Sequence, residues 1–249
     1  MEEEKSMIND HLVLVSGKSA SGKSASLRAL DKPEGVMYLN CENGKKLPFK
    51  TKFKELTVTD TNQVYQAFAE AEKPEHKDVH TIVIDSLTYL MDMFESTKVL
   101  TATDSRAAWQ EYGQYMRRLM SQIVAKSTKN VVFLAHTADV LNESEMINET
   151  IVKVKGALKN VGIESFFSTV ISTKKMSLEK LNDKNAKSKL YNVTPEEKDL
   201  GFKYVFQTRI TKDTIHERMR APMDMWKATE TYIDNDLRHV INRLHEYYK

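Results

Sequence analysis

The chain has 249 residues, 41% of them hydrophobic, and a formal net charge of +2 at pH 7. That composition excludes a disordered chain and leaves enough length for one α/β domain with a sizeable core. A charge this near zero argues against a purely electrostatic, histone-like grip on nucleic acid, so any such binding must come from local basic patches.

The elements alternate. Leu12-Val13-Leu14-Val15 reads as a buried strand ending at a glycine, and Gly22 to about Leu30 reads as a helix stopped by Asp31-Lys32-Pro33-Glu34-Gly35. Val36 to Asn40 and Phe53 to Thr59 read as strands. Asp60 or Thr61 can cap a helix with Val64, Ala67, Phe68 and Ala71 on one face. Thr81-Ile82-Val83-Ile84 is the most strand-like run. Asp104 or Ser105 can cap a long helix to about Ser127, and Val131 to Ala135 follows as another buried strand. β-branched strands alternating with helices predict a mostly parallel sheet covered on both faces. Later, Phe166 to Thr173 and Phe202 to Ile210 read as strands, residues 174–200 as a charged, polar insertion, and 227–248 as an amphipathic C-terminal helix. Without a repeat or a low-complexity linker, residues 1–249 read as a single domain.

The only cysteine, Cys41, rules out an intrachain disulfide and fits a reducing compartment. The acidic start, Met1-Glu2-Glu3-Glu4-Lys5, lacks the features of a secretory signal, and no apolar run reaches the length of a membrane span. The expected location is the cytoplasm, with no membrane partner.

Gly17-Lys18-Ser19-Ala20-Ser21-Gly22-Lys23-Ser24, followed by Ala25, matches the phosphate-binding pattern G-x-x-x-x-G-K-[ST]. Its glycines let the backbone turn around phosphate oxygens, its N–H groups face the anion, Lys23 supplies a charge to the β- and γ-phosphates, and the Ser24 hydroxyl can ligate Mg²⁺. Asp85, ending the strand Thr81 to Ile84, is the candidate second magnesium-side residue, favoured by the phosphate loop before it over the other role of an aspartate there, capping the next helix.

Val36-Met37-Tyr38-Leu39-Asn40-Cys41-Glu42-Asn43-Gly44 resembles the corresponding strand of RecA-like P-loop ATPases. The resemblance covers most of residues 10–222 and implies a RecA-like α/β core with a C-terminal antiparallel region. It implies that Glu42 activates the attacking water, and that His136, where the family usually has Gln, senses the γ-phosphate. It places two DNA-contacting loops, at about Glu95 to Arg106 and about Ala138 to Gly162, with Arg106, Lys153, Lys155 and Lys159 as DNA-binding candidates. It implies a terminal strand pair, Gln207 to Lys212 and Glu217 to Pro222, whose Arg209, Lys212, Arg218 and Arg220 reach the ATP of a neighbouring subunit.

The trimmed core is similar to phage RecA-core ATPases that act as single-strand annealing proteins. That likeness implies ATP and Mg²⁺ as cofactors, and DNA-stimulated ATP hydrolysis in DNA recombination. It further implies single-stranded DNA as partner, a filament or ring of identical subunits, a companion single-strand DNA-binding protein, and, for a bacteriophage protein, the host cytoplasm. A helicase-type ring shares every nucleotide-site residue, and a P-loop small-molecule kinase shares the phosphate loop.

Overall fold

The computed structural model describes residues 9–185 and 188–249; Met1 to Lys5 and Lys187 lie outside them. The first strands and helices are β1 (Leu12–Gly17), β2 (Val36–Asn40), β3 (Lys54–Thr57), α1 (Asn62–Ala71), β4 (Thr81–Asp85), α2 (Leu87–Phe94) and α3 (Ser105–Arg118). Then come β5 (Asn130–Asn142), β6 (Ile147–Val152), α4 (Ala157–Val161), β7 (Val170–Ser177), α5 (Leu178–Asn185), α6 (Pro195–Leu200), β8 (Phe202–Gln207), β9 (Tyr232–Asp234) and α7 (Leu237–Tyr247).

The strands form one sheet in the order β3-β2-β4-β5-β1-β7-β8-β9, with β6 paired to β5. From β3 to β7 all neighbours are parallel, while β7-β8 and β8-β9 are antiparallel. This is the mostly parallel α/β architecture expected, with its antiparallel strands at the C-terminal side. Alternation along each strand feeds two cores. Leu14, Leu39, Ile82, Ile84 and Phe133 join the face covered by α1, α2 and α3. Val13, Val15, Val83, Val132 and Leu134 join the face holding Trp226 and α7. Runs such as Thr81–Asp85 are buried throughout because helices cover both sides. The helix α1 buries the four expected residues, and Asp104 caps α3 by accepting from the Ala107 N–H at 3.0 Å.

Several elements differ from the sequence expectation. The segment after the phosphate loop is a 3₁₀ helix over Ser24–Ala29, shorter than the expected Gly22–Leu30 helix. Its Ser26 hydroxyl donates to the Lys23 carbonyl at 2.6 Å, a local bond that competes with regular helix. The long helix to Ser127 is three pieces: α3, a π turn at Leu119–Ile123 and a 3₁₀ turn at Val124–Lys126. The expected strand from Phe166 starts later, at Val170, and runs to Ser177.

The expected second loop is in large part a hairpin. Beyond Ala135, β5 continues out of the sheet and pairs antiparallel with β6, from Thr137↔Val152 to Asn142↔Ile147. The β-branched run Thr150-Ile151-Val152 carries this signal. The 174–200 stretch completes β7 and then forms α5 and α6, with Leu181 fully buried and a Thr194–Glu197 capping box. The expected terminal strand pair is replaced: Glu217 and Arg220 make isolated bridges to Thr150 and Val170, and β8 pairs instead with β7 and β9. The expected helix from 227 begins at Leu237, because Thr231, Tyr232 and Ile233 favour a strand and Asp236 caps the helix, accepting from the Arg238 N–H at 3.0 Å.

Candidate functional site

The phosphate loop leaves the C-terminal end of β1, at the edge of a parallel sheet where such folds gather their ligands. The loop needs its glycines for two different reasons. A Cβ at Gly17 would lie 2.6 Å from Ser21 Oγ and 2.7 Å from the Thr173 carbonyl oxygen, so only glycine permits the close approach of β1, loop and β7. Gly22 has φ +97°, and a Cβ there would lie 3.1 Å from the ring of Tyr204. Ala20, at φ 57°, also holds the left-handed region, which an L side chain adopts at a cost of about 1 kcal/mol. Thr173 Oγ1 donates to the Ser21 carbonyl at 2.7 Å, and Asn235 Nδ2 donates to Thr173 Oγ1 at 3.0 Å. The strained turn is thus braced from β7 and from the residues before α7.

Lys23 is buried, its ammonium donating to the carbonyls of Gly17 at 3.0 Å and Lys18 at 2.8 Å. Burial lowers its pKa to about 8, partly offset by Asp85 and Glu42. A phosphate beside it would supply the counter-charge that the two carbonyls lack.

Ser24 Oγ donates to Asp85 Oδ2 at 2.7 Å, and the Tyr38 hydroxyl donates to the same oxygen at 2.8 Å. The other oxygen, Asp85 Oδ1, is buried with no hydrogen-bond partner, as are Ser21 Oγ and Ser86 Oγ. Burial raises the Asp85 pKa, opposed by the bonds from Ser24 and Tyr38. A buried carboxylate with one oxygen left unbonded, next to a serine hydroxyl and a lysine, is the donor set that Mg²⁺ and a nucleotide phosphate chain would satisfy. These residues therefore fit both ATP and Mg²⁺.

The third side of the pocket is Glu42 and His136. Glu42 follows β2, with its N–H donating to Asn40 Oδ1 at 3.1 Å and its carboxylate taking a bond from Lys45 at 2.9 Å. His136 pairs in register with Gly17, so the strand order itself carries it to the phosphate loop. Its Nδ1 is buried, without a hydrogen bond, and lies 3.8 Å from Glu42 Oε1. Burial first, and then Lys23, lowers the His136 pKa to about 4, so the imidazole is neutral at physiological pH. The Thr88 hydroxyl accepts from its backbone N–H at 3.0 Å, and Tyr89 packs edge-on against its ring.

Sequence reasoning missed Tyr38, Thr88 and Lys45. Tyr38 lies within the expected strand as an apolar-looking residue, and nothing in its spacing marks it as a partner of Asp85. A cleft of about 1230 Å³ continues from Lys18–Ser21 towards β7 and β8, with Lys174, Lys175, Lys180 and Tyr204 in its walls.

The basic candidates do not gather into one patch. Lys155 is paired to Glu95 at 2.6 Å. Lys159 lies in a shallow groove with Glu149 and Arg218. Lys153 is exposed, donates its N–H to the His136 carbonyl at 2.8 Å, and belongs to the phosphate side. Arg106 is exposed on α3. Of the candidates for a neighbour's nucleotide, Arg218 is tied to Glu149 at 2.9 Å and Arg209 donates to the Trp226 carbonyl at 2.6 Å. Among the described residues, Lys212 and Arg220 are the two of that set whose side chains have no partner, and both are exposed.

The computed structure resembles that of the flagellar accessory protein FlaH from Methanocaldococcus jannaschii at 12% identity and TM-score 0.34, over 81% of this chain and 78% of that one. No curated protein matches the sequence. No helix among the described residues is long and apolar enough to cross a membrane. The family model described as "AAA domain" matches residues 10–198, which include the phosphate loop, Glu42, Asp85 and His136. The chain therefore belongs to this AAA domain family of P-loop ATPases.

Proposed function

We propose that this protein is a Mg²⁺-dependent ATPase that binds single-stranded DNA, assembles with copies of itself, and promotes annealing or strand pairing in recombination. The observation that supports its nucleotide half is the convergence of Lys23, Ser24, Asp85, Glu42 and His136, with Asp85 Oδ1 and His136 Nδ1 left unbonded. In this reading Lys23 and the loop N–H groups hold the phosphate chain, and Ser24 and Asp85 hold Mg²⁺. The metal supplies charge neutralisation at the phosphates. Glu42 orients a water and receives its proton, and the neutral His136 contacts the γ-phosphate as a hydrogen-bond donor. The nucleoside has room in the cleft beside Tyr204.

The DNA half rests on the likeness to phage RecA-core annealing proteins. Exposed Arg106 and Lys153, together with partner-free Lys212 and Arg220, provide cations for DNA and for a neighbouring subunit's ATP. A single-strand DNA-binding protein is the expected companion. The test is steady-state ATP hydrolysis with and without single-stranded DNA at low and moderate salt. Stimulation that weakens with salt is the expected result. A basal rate that DNA leaves unchanged would instead indicate a small-molecule kinase or a regulatory nucleotide-binding protein.

A further inference from the structure

An open groove of about 970 Å³ runs along the outer face of α3. With 3.6 residues per turn, Arg106, Gln110, Gly113 and Arg117 fall within one narrow stripe, and the two arginines stand about 16 Å apart along the axis. Trp109 and Ala157 close one side. The groove holds Arg106, Arg117 and Arg118 against a single glutamate, Glu111, a surplus of two charges. That surplus equals the net charge of the whole chain.

Two features of the groove have no explanation within the chain. Most other arginines are tied down: Arg218 to Glu149, Arg238 to Asp236, Arg243 to Glu230. The side chains of Arg106 and Arg117 have no hydrogen-bond or ion-pair partner among the described residues. Gly113 interrupts the middle of a 14-residue helix, where glycine costs about 1 kcal/mol relative to alanine. Its backbone is helical, and a Cβ there would meet only Arg117 Nη1, at an ordinary 3.8 Å. Neither conformation nor packing requires glycine; Gly113 is buried, with Arg117 the side chain nearest to it, and its missing side chain leaves the floor of the groove open.

We propose that this groove is a site for single-stranded DNA, in which Arg106 and Arg117 take phosphates, Gly113 keeps the floor of the groove free of a side chain, and Trp109 offers its half-buried ring to a base. This rests on the DNA reading above and places the strand on the free arginines of α3, whereas Lys155 and Lys174 are paired to Glu95 and Glu217. Exposed, unpaired arginines beside an aromatic ring are the combination that binds a flexible strand, with charge for the backbone and a π-face for any base. A protein partner would need acidic groups spaced to match; a DNA strand carries an anion at every nucleotide.

The test is fluorescence anisotropy of a labelled thymidine oligonucleotide with wild type, Arg117→Glu and Gly113→Leu. Thermal melting serves as the control of folding, and sedimentation as the control of assembly. Arg117→Glu is expected to weaken binding about tenfold and to lower the salt slope by about one. Gly113→Leu fills the floor of the groove with a better helix former, so it is expected to weaken binding while melting no lower than wild type. Trp226 is only 2% exposed, so quenching of tryptophan fluorescence by the oligonucleotide is expected to vanish in Trp109→Phe. Wild-type binding that both variants retain in full would overturn the groove and leave the DNA reading standing. Variants that change the oligomeric state without DNA would make this face a contact between copies. Failure of the wild type to bind the oligonucleotide would overturn both readings.

Discussion

The middle of the sheet and its β7–β9 flank treat buried charge in opposite ways. Around the phosphate loop, Asp85 Oδ1, Ser21 Oγ, Ser86 Oγ and His136 Nδ1 are buried and unbonded, and the Lys23 ammonium faces only carbonyls. On the β7–β9 flank nearly every buried charge is paired: Lys203 with Glu197 at 2.7 Å and Asp234 at 3.1 Å, and Arg243 with Glu230 at 2.7 Å while lying over Trp226. A buried polar group without a partner costs about 1–3 kcal/mol. The first region keeps that cost because a ligand can relieve it; the second pairs its charges because they serve the fold, and the groups it leaves unbonded, Gln207 Oε1, Trp226 Nε1 and Asn235 Oδ1 among them, are neutral. Substitutions in the phosphate pocket should therefore change turnover with little loss of stability, and substitutions on the flank should do the reverse.

The largest expected effect is at Lys23. Lys23→Ala should lower ATP hydrolysis by about 10³-fold or more, with a melting temperature at neutral pH no lower than that of wild type. Retained hydrolysis in the folded variant would remove Lys23 from the site. The same residue gives a pH signature. Its folded pKa of about 8 lies below the ordinary lysine value of 10.5, so between those pH values the unfolded chain holds more protons and wild-type stability rises with pH relative to Lys23→Met. Chemical denaturation of both proteins at pH 7.5 and pH 10 measures this difference, and saturating nucleotide should abolish it.

Glu42→Gln comes next, with nucleotide bound normally and turnover lowered by about 10²-fold. Normal single-turnover rates would exclude Glu42 from activating water. Lys203→Ala tests the other arm of the comparison. It leaves Glu197 and Asp234 without their cation and should cost about 2 kcal/mol in urea denaturation, with kcat within twofold of wild type.

Smaller still is His136→Gln, which keeps a hydrogen-bonding group and should retain turnover to within about tenfold. Because His136 is already neutral above about pH 4, the wild-type pH–rate profile should show no step from it between pH 5.5 and 7.5. A step there that disappears in His136→Gln would mean that the imidazole titrates during turnover. The smallest effect is Lys18→Ala. It breaks an exposed pair with Asp139 and should change stability by less than about 1 kcal/mol.

Much of the fold was legible because periodicity is a local property. The runs at Leu12, Val36, Thr81 and Val131 are strands, and α1 buries the four residues its spacing selects. Elements whose burial depends on distant partners were less legible. The β5–β6 hairpin is half exposed, so its alternation is weak, and β9 is a three-residue strand held by its pairing with β8. The 174–200 stretch looks polar throughout, yet buried Leu181 and the Thr194 cap order its flanks.

By itself the sequence determined the parts that local chemistry specifies: the phosphate loop with its lysine and serine, the carboxylates at two strand ends, and the strand–helix alternation that makes a parallel sheet. Only the tertiary structure decided which of the remaining residues meet. Register between β1 and β5 carries His136 to Gly17, and the Tyr38 hydroxyl crosses from β2 to Asp85 on β4. Carboxylates far along the chain neutralise Arg218 and Lys155 but leave Arg106 and Arg117 free. Such contacts depend on strand order and burial, which no window of neighbouring residues contains, and burial is also what lowers the pKa values of Lys23 and His136.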